Sequence, residues 1–583
     1  MEEQGLAKQR TLPELARFFT TILGPENKFY GLAIIYGIGI SLLSLATPIS
    51  VQMLINSIIN TGLAAPLVIL SVTLFLLLCA AGLLNALRLH LVDVFGRRFY
   101  ARMVSEISLR AVYALNPFFE DSGKGPLFNR YFDIIIVMKR IPYLLVGGFS
   151  ILLQAAVGFA LTSAYHPMFL AFNVVMILLI WLIWLVWGRR AIKSAMTMSH
   201  KKHAAAAWLE GLASSNGYFK TRRHIDDALR RTDEVTADYI DKHKLHFGHY
   251  FSQAIAFFLL YALAGSSLLG LGGWLVINDQ LSIGQLVAAE LVLSAVFYGL
   301  SQLGTYMAYF YDLCAAVEEL SFFYDIEQEN PAGDDEHVKG STVVLANARG
   351  TARGIEARFS FELPPESTVY ARAPSHAVQR LFSHFLKRHA VPSSGYITVG
   401  GTDINGMQAH ALRHEVMVLD RPNAHEMSIR KFLQLSGDDV GSKEILEAVE
   451  LVGLEPVIAH LDNGLDSKTA PSGWPLSPGE MMQLKLASAV IAKPRLLLLS
   501  QMCDILPDAV LQRALEAMRD CHQTTVIYFS NRQPNDQFSH FLYMGRSQQK
   551  VFTDAEAFER HYAQRAAARG LLLDGSPTGA NNA

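Results

Sequence analysis

The stretch VYARAPSHAVQRLFSHFL, residues 369–386, reads as a strand running into an amphipathic helix, the place in an α/β domain where a phosphate-binding loop would sit. It contains neither glycine nor lysine. A second candidate is LSPGE, residues 476–480, where Ser477, Pro478 and Glu480 have the order of a helix N-cap, a first helical residue and the partner of a capping box. Glu290 lies inside a strongly apolar run, where an ionisable group is costly and is by default a functional hypothesis. His243, His246 and His249 recur every third residue, so they turn around a helix instead of aligning on one metal, and with His200 and His203 far off in sequence they read as interfacial side chains.

The elements that must position these residues follow from composition. Of 583 residues, 51% are hydrophobic and 17% charged, which points to a membrane protein. The net charge of -2 gives no case for a nucleic-acid partner. Cys79, Cys314, Cys503 and Cys521 have neither CxxC nor zinc spacing and read as reduced structural thiols. The start, MEEQGLAKQRTLPELARFF, lacks the apolar core and cleavage site of a signal peptide, so the amino end is expected in the cytoplasm.

Apolar stretches near 29–55, 66–87, 144–164, 167–187, 251–277 and 283–307 are each long enough for a ~30 Å hydrocarbon core. The connections NTGLAAP, SAYHP and NDQLS carry no Lys or Arg, whereas 88–143 and 188–250 are rich in both. That asymmetry places the long segments and both termini in the cytoplasm, for a multi-pass protein of a bacterial inner membrane. Helical periodicity continues into both long segments, with breaks at 116–126 and 211–220. Beyond 341, short β-rich runs alternate with amphipathic helices, an α/β domain on a largely parallel sheet. The expected organisation is a cytosolic segment 1–28, a six-helix membrane domain 29–307, a helical extension and linker 308–340, an α/β domain 341–563 and a frayed tail 564–583.

Across nearly its whole length the chain resembles an ABC exporter half-transporter, a six-span membrane domain that dimerises, fused to a nucleotide-binding domain. NRYFDI (129–134), LGGWLVINDQLSIGQLVAAELVLS (271–294), SSGYITVGGTDI (393–404) and GLEPVIAHLDNGLDS (453–467) carry the resemblance. The family's phosphate loop, GxxxxGK[ST], uses glycines to wrap backbone N–H groups around phosphates, a lysine to neutralise them and a hydroxyl to hold Mg²⁺. Its positions here are Ala373 to Arg380, with Ala373, His376 and Val378 for glycines, Gln379 for the lysine and Arg380 for the hydroxyl. Each lost charge-assisted hydrogen bond is worth ~1.5–3 kcal/mol. Arg372 and Arg380, beside this helix start, read as solvated surface residues.

In RLLLLSQMCDILP the metal-orienting aspartate position is Ser500 and the general-base glutamate position is Gln501, so neither supplies a carboxylate. The family's Mg²⁺-contacting glutamine corresponds to Asp420, its switch histidine to Asn531 and its adenine-stacking tyrosine to Ala352. LSPGE resembles the signature LSGGQ, with Ser477 and Gly479 retained. The resemblance implies that Ser477, Gly479 and the helix start face ATP held by an opposite subunit; a plain capping box is the competing reading. Glu290 stands where the family often carries an acid, with either a structural or a transport-pathway role. Residues 117–126 and 211–220 resemble the turns that dock on nucleotide domains.

These substitutions imply a catalytically silent half-transporter, with ATP and Mg²⁺ held only in a partner subunit's site. The expected partner is a second ABC half-transporter in the same bilayer, and the expected cargo a lipid, peptide or amphipathic molecule. The alternative is an ATP-independent homodimer acting as scaffold, conduit or regulator.

Overall fold

The computed structural model describes residues 9–567 apart from 45, 62–63, 117–118, 120–122, 335–337, 353, 424 and 536. The chain divides into two compact units, Met1–Gln328 and Glu329–Ala583.

Unit 1 is helical. Its elements are α1 (Leu12–Leu23), α2 (Asn27–Ser44), α3 (Ala46–Thr61), α4 (Ala64–Val112), α5 (Asp133–Tyr143), α6 (Phe149–Tyr165), α7 (Pro167–Ser214), α8 (Arg222–Ile277) and α9 (Ile283–Ser321). Hydrocarbon satisfies no backbone polar group, so apolar runs of this length must be helical to cross it. Five described helical segments are long and apolar enough to cross a membrane: Leu67–Val112, Gly125–Tyr165, Pro167–Ser214, Arg222–Ile277 and Ile283–Asp325. The expected first span, 29–55, falls on α2 and α3, on either side of residue 45, which lies outside the described residues.

With 48 and 56 residues, α7 and α8 run roughly 70–85 Å, more than twice the hydrocarbon thickness. The expected break at 211–220 begins later than the sequence suggests. Helix α7 continues through Ser214, a 3₁₀ turn covers Asn216–Lys220, and Thr221 caps α8 by accepting from the His224 N–H at 3.4 Å. At the opposite end a capping box starts α9: the Gln285 N–H donates to Ser282 Oγ and the Ser282 N–H to Gln285 Oε1, at 3.1 and 3.0 Å.

Unit 2 contains β1 (Val343–Ala352), β2 (Ile355–Leu363), β3 (Thr368–Arg372), α10 (His376–Leu386), β4 (Ser394–Val399), β5 (Thr402–Asp403), α11 (Ala409–Glu415), β6 (Val416–Leu419) and β7 (Met427–Ser428). There follow α12 (Ile429–Gln434), α13 (Ser442–Leu451), α14 (Glu455–Ala459), β8 (Lys468–Thr469), α15 (Pro478–Ala492), β9 (Leu496–Leu499), α16 (Asp508–His522), β10 (Thr525–Phe529), β11 (His540–Met544), β12 (Gln549–Phe552) and α17 (Ala555–Ala567). The six-stranded sheet has the order β12-β11-β3-β10-β9-β6 and is parallel except for β12. Every residue of β9 and β10 is buried, as continuous apolar runs in a sheet covered on both faces require.

Because β3 and β9 both flank β10 in parallel, their C-terminal ends emerge side by side, the usual position for a ligand site in such sheets. A second sheet, antiparallel with order β2-β1-β4-β5, goes beyond the largely parallel sheet expected. Its strand β2, IEARFSFEL, alternates apolar and polar residues, the period-2 signature of a half-buried strand.

Candidate functional site

At the end of β3 the chain bends through Ala373–Ser375 and enters α10 at His376, with Ser375 in extended conformation as N-cap. Val378 is not in a loop: it lies in the first turn of α10 and is buried, 1% exposed. Gln379, one residue on, is also buried, and its Oε1 accepts from Gln501 Nε2 at 2.8 Å. The residues at the family's lysine and glutamate positions are thus hydrogen-bonded to each other. Ser500 precedes Gln501, its N–H donating to the Leu419 carbonyl at 3.0 Å and its Oγ accepting from the Met502 N–H at 3.3 Å.

The surrounding polar groups are similarly occupied. The Asp504 carboxylate accepts from the Tyr528 hydroxyl, from Ser530 Oγ at 2.7 Å and from the Asn531 N–H at 3.0 Å. Burial and this carboxylate together push the Tyr528 hydroxyl well above its ordinary pKa. Arg532 donates to the carbonyls of Asp504 and Leu506 and pairs with Asp508. Asn531 itself is exposed. Asp504 escaped the sequence reading; no local signal marks it, because its partners come from the far end of β10.

Arg372 corrects the expectation of a solvated surface residue. Its side chain is 12% exposed, pairs with Glu559 of α17 at 2.8 Å, donates to the Arg532 carbonyl at 2.8 Å, and lies 4.9 Å over the Tyr562 ring. Arg380 is half-buried, with Nε 3.4 Å from His384 Nε2. Asp420, after β6, is half-buried near Lys387 and Lys485. Burial lowers the pKa of both ammonium groups, opposed by the Asp420 charge. Lys485 Nζ donates to the Arg421 carbonyl at 2.5 Å. The Ala352 side chain lies outside those described.

Ser477 is exposed and starts α15 through a complete capping box: its Oγ accepts from the Glu480 N–H at 3.3 Å, and its N–H donates to Glu480 Oε2 at 2.7 Å. Gly479 follows in the first turn. In unit 1, Glu290 is half-buried on α9; Oε1 accepts from Ser294 Oγ at 3.1 Å, while Oε2 is buried without a hydrogen-bond partner. His246 is buried, with Nδ1 3.0 Å from Ser194 Oγ and its ring edge-on to Tyr311. His243 is exposed. Among the described residues no group of three or more His, Cys, Asp or Glu is arranged to hold a metal ion.

A helical unit with long extensions, followed by a six-stranded parallel-type sheet and an antiparallel sheet, defines the fold of an exporter-type ABC half-transporter. The sequence carries the same similarity. The chain is 24% identical over 548 residues to the ABC multidrug transporter mdr2 of Aspergillus fumigatus, a match covering 87% of this chain and 66% of that one, just under two thirds of its length. To the multidrug resistance ABC transporter ATP-binding and permease protein of Lactococcus lactis subsp. cremoris it is 22% identical over 534 residues, 86% of each chain. A solved structure of a bacterial Atm1-family ABC exporter with ATP bound superposes with a TM-score of 0.78 at 17% identity, covering 94% of this chain and 99% of the other. No family model matches the chain. The protein is accordingly a multi-pass membrane protein of ABC half-transporter architecture.

Proposed function

We propose that this chain is the catalytically silent half of a two-chain ABC exporter, both termini cytoplasmic, whose partner supplies the working nucleotide site. The observation that carries this reading is the 2.8 Å hydrogen bond from Gln501 Nε2 to Gln379 Oε1. Where phosphoryl chemistry needs a cation to hold phosphates and a carboxylate to handle water, two neutral amides satisfy one another. The residues present do not fit a magnesium-bound triphosphate: Val378 and Gln379 are buried in a helix, and Arg372 is committed to Glu559.

What remains usable is the face around Ser477. An exposed serine at the start of a 15-residue helix presents a hydroxyl and the positive end of a helix dipole. In the pair, Ser477 and Gly479 would complete the partner's site, and the turns near 117–126 and 211–220 would pass domain closure to the spans. Residues 117–118 and 120–122 lie outside the described residues. Glu290 would face the transport pathway, and the apolar spans suit a lipid, peptide or amphipathic cargo.

The test is capture of the tagged full chain from its native membranes. We expect an equimolar second half-transporter that has a glycine-rich loop with lysine, and ATP turnover by the complex that drops on Ser477→Ala. Recovery of a homodimer that transports normally after Ser477→Ala would overturn the pairing.

A further inference from the structure

Below the apolar run of α7, which ends near residue 187, the helices of unit 1 line a half-open cavity of about 500 Å³. Ser199 lies about a dozen residues, roughly 18 Å along the helix, past that run, while Tyr143 of the same wall adjoins the run at 144–164, so the cavity extends outward from the edge of the hydrocarbon layer. Its volume falls in the range of small-molecule sites. Its walls come from α5, α7, α8 and α9.

Charge decides what it could take. Three cations line it, Lys139, Arg140 and Lys202, against two carboxylates, Asp133 and Asp312. Both carboxylates are already spoken for: Lys202 Nζ lies 2.8 Å from Asp133, which His203 also contacts at 2.5 Å, and Arg140 lies 2.8 Å from Asp312. Lys139 has no ion-pair partner among the described residues, leaving one uncompensated positive charge at the rim. Ser199 is a second, independent sign: 5% exposed, it lines the cavity with an Oγ that has no hydrogen-bond partner. A buried hydroxyl is normally paired, and an unpaired donor in the wall of a cavity that also carries a cation without an ion-pair partner favours an acceptor of negative charge. The rest of the wall is the apolar Ile135, Ile136, Met198, Ala315 and Ala316, together with Tyr143 and Tyr239.

We propose that this cavity binds a small amphipathic anion, its one acidic group paired with Lys139 and hydrogen-bonded by Ser199 Oγ, its apolar body against Ile135, Ile136 and Met198. A cation is disfavoured, because both carboxylates already have partners. The site is independent of the nucleotide reading, and every residue it uses belongs to this chain.

Full-length protein in phosphatidylcholine nanodiscs would be titrated with 2-naphthoate and with the neutral isostere 2-naphthamide, subtracting empty nanodiscs. The acid should bind about tenfold or more tightly than the amide, as a charge-assisted hydrogen bond implies. Lys139→Gln should weaken naphthoate about tenfold, and Lys139→Glu should abolish its binding, with the amide unaffected. Lys139 is exposed, so these variants should fold; an unchanged thermal midpoint checks that. Ser199→Ala should weaken the acid by a smaller factor, about fivefold. Repeating the titration with phosphatidylglycerol identifies the source of the acidic group: Lys139-dependent competition marks a lipid headgroup, and undiminished binding a water-borne anion. Equal affinity for acid and amide, no binding of either, or wild-type naphthoate affinity in Lys139→Glu would overturn the site.

Discussion

In unit 1 charged side chains beyond the apolar runs are buried in pairs, whereas in unit 2 the two side chains that meet beyond the ends of β3 and β9 are neutral amides. Glu318 and Glu319 are fully buried, and their partners come from three other parts of the unit: Arg130 at 2.5 Å from Glu319, His200 at 3.2 Å from Glu318, and the Arg10 N–H at 2.8 Å from Glu318 Oε1. In unit 2, Gln379 and Gln501 hold the corresponding central place without any charge. Buried charge survives only where partners fix it, because removing one partner strands the other in low dielectric. Neutral amides carry no such penalty and no such chemistry.

The largest effect that would sharpen this contrast is on the ionic side. Arg130→Ala leaves the buried Glu319 carboxylate with only His200, 4.0 Å away, and should destabilise unit 1 by about 3–5 kcal/mol. Thermal scans of the purified full chain, read from the tryptophans, would show it. A loss no greater than that of an exposed pair such as Arg230→Ala would break the contrast.

Next comes His389 in unit 2. Its Nδ1 lies 3.1 Å from Arg413 Nη2, which donates to it, so the ring must be neutral there. Burial first, then the charges of Arg413, Lys387 and His384, lower its pKa to about 3; the nearby Glu329 is held bidentately by Arg413. The folded pKa lies below the unfolded one, so the stabilisation is fully present above about pH 6.5 and is lost as pH falls toward 3. At pH 5 the loss should be about 2 kcal/mol. Hydrogen exchange of the 384–415 peptides in the full chain, corrected for intrinsic rates, should accelerate between pH 7 and 5, and His389→Gln should flatten that dependence.

The amide pair predicts a smaller and non-additive pattern. Gln379→Leu or Gln501→Leu alone leaves one amide without its partner, at about 1–3 kcal/mol, while the double variant should approach wild type. Additive losses in the cycle would mean that the hydrogen bond does not couple them. Smallest is Ser477→Ala, which removes a helix cap and should cost unit 2 about 1 kcal/mol.

Much of the fold was legible because long apolar runs and short β-rich runs announce themselves locally. LLLL at 496–499 and TVIYF at 525–529 are buried strands, and the runs at 167–187 and 251–277 are helices. Strand β2 went unread although its alternation was present, since Glu356 and Arg358 dilute its hydrophobicity. The site was legible in residue type but not in contact. That Gln379 meets Gln501 follows from β3 and β9 both flanking β10, a pairing no local pattern encodes. Arg372 was misread for the same reason: Glu559 and Tyr562, which bury it, lie nearly 190 residues downstream.

The central claim is that this chain cannot drive its own cycle, and hydrolysis by the isolated protein tests it most directly. Purified without any partner, the wild-type chain and Gln379→Ala should show the same Mg²⁺-dependent release of phosphate from ATP, at the level of a protein-free lipid blank. Turnover by the wild type that clearly exceeds Gln379→Ala would contradict the account.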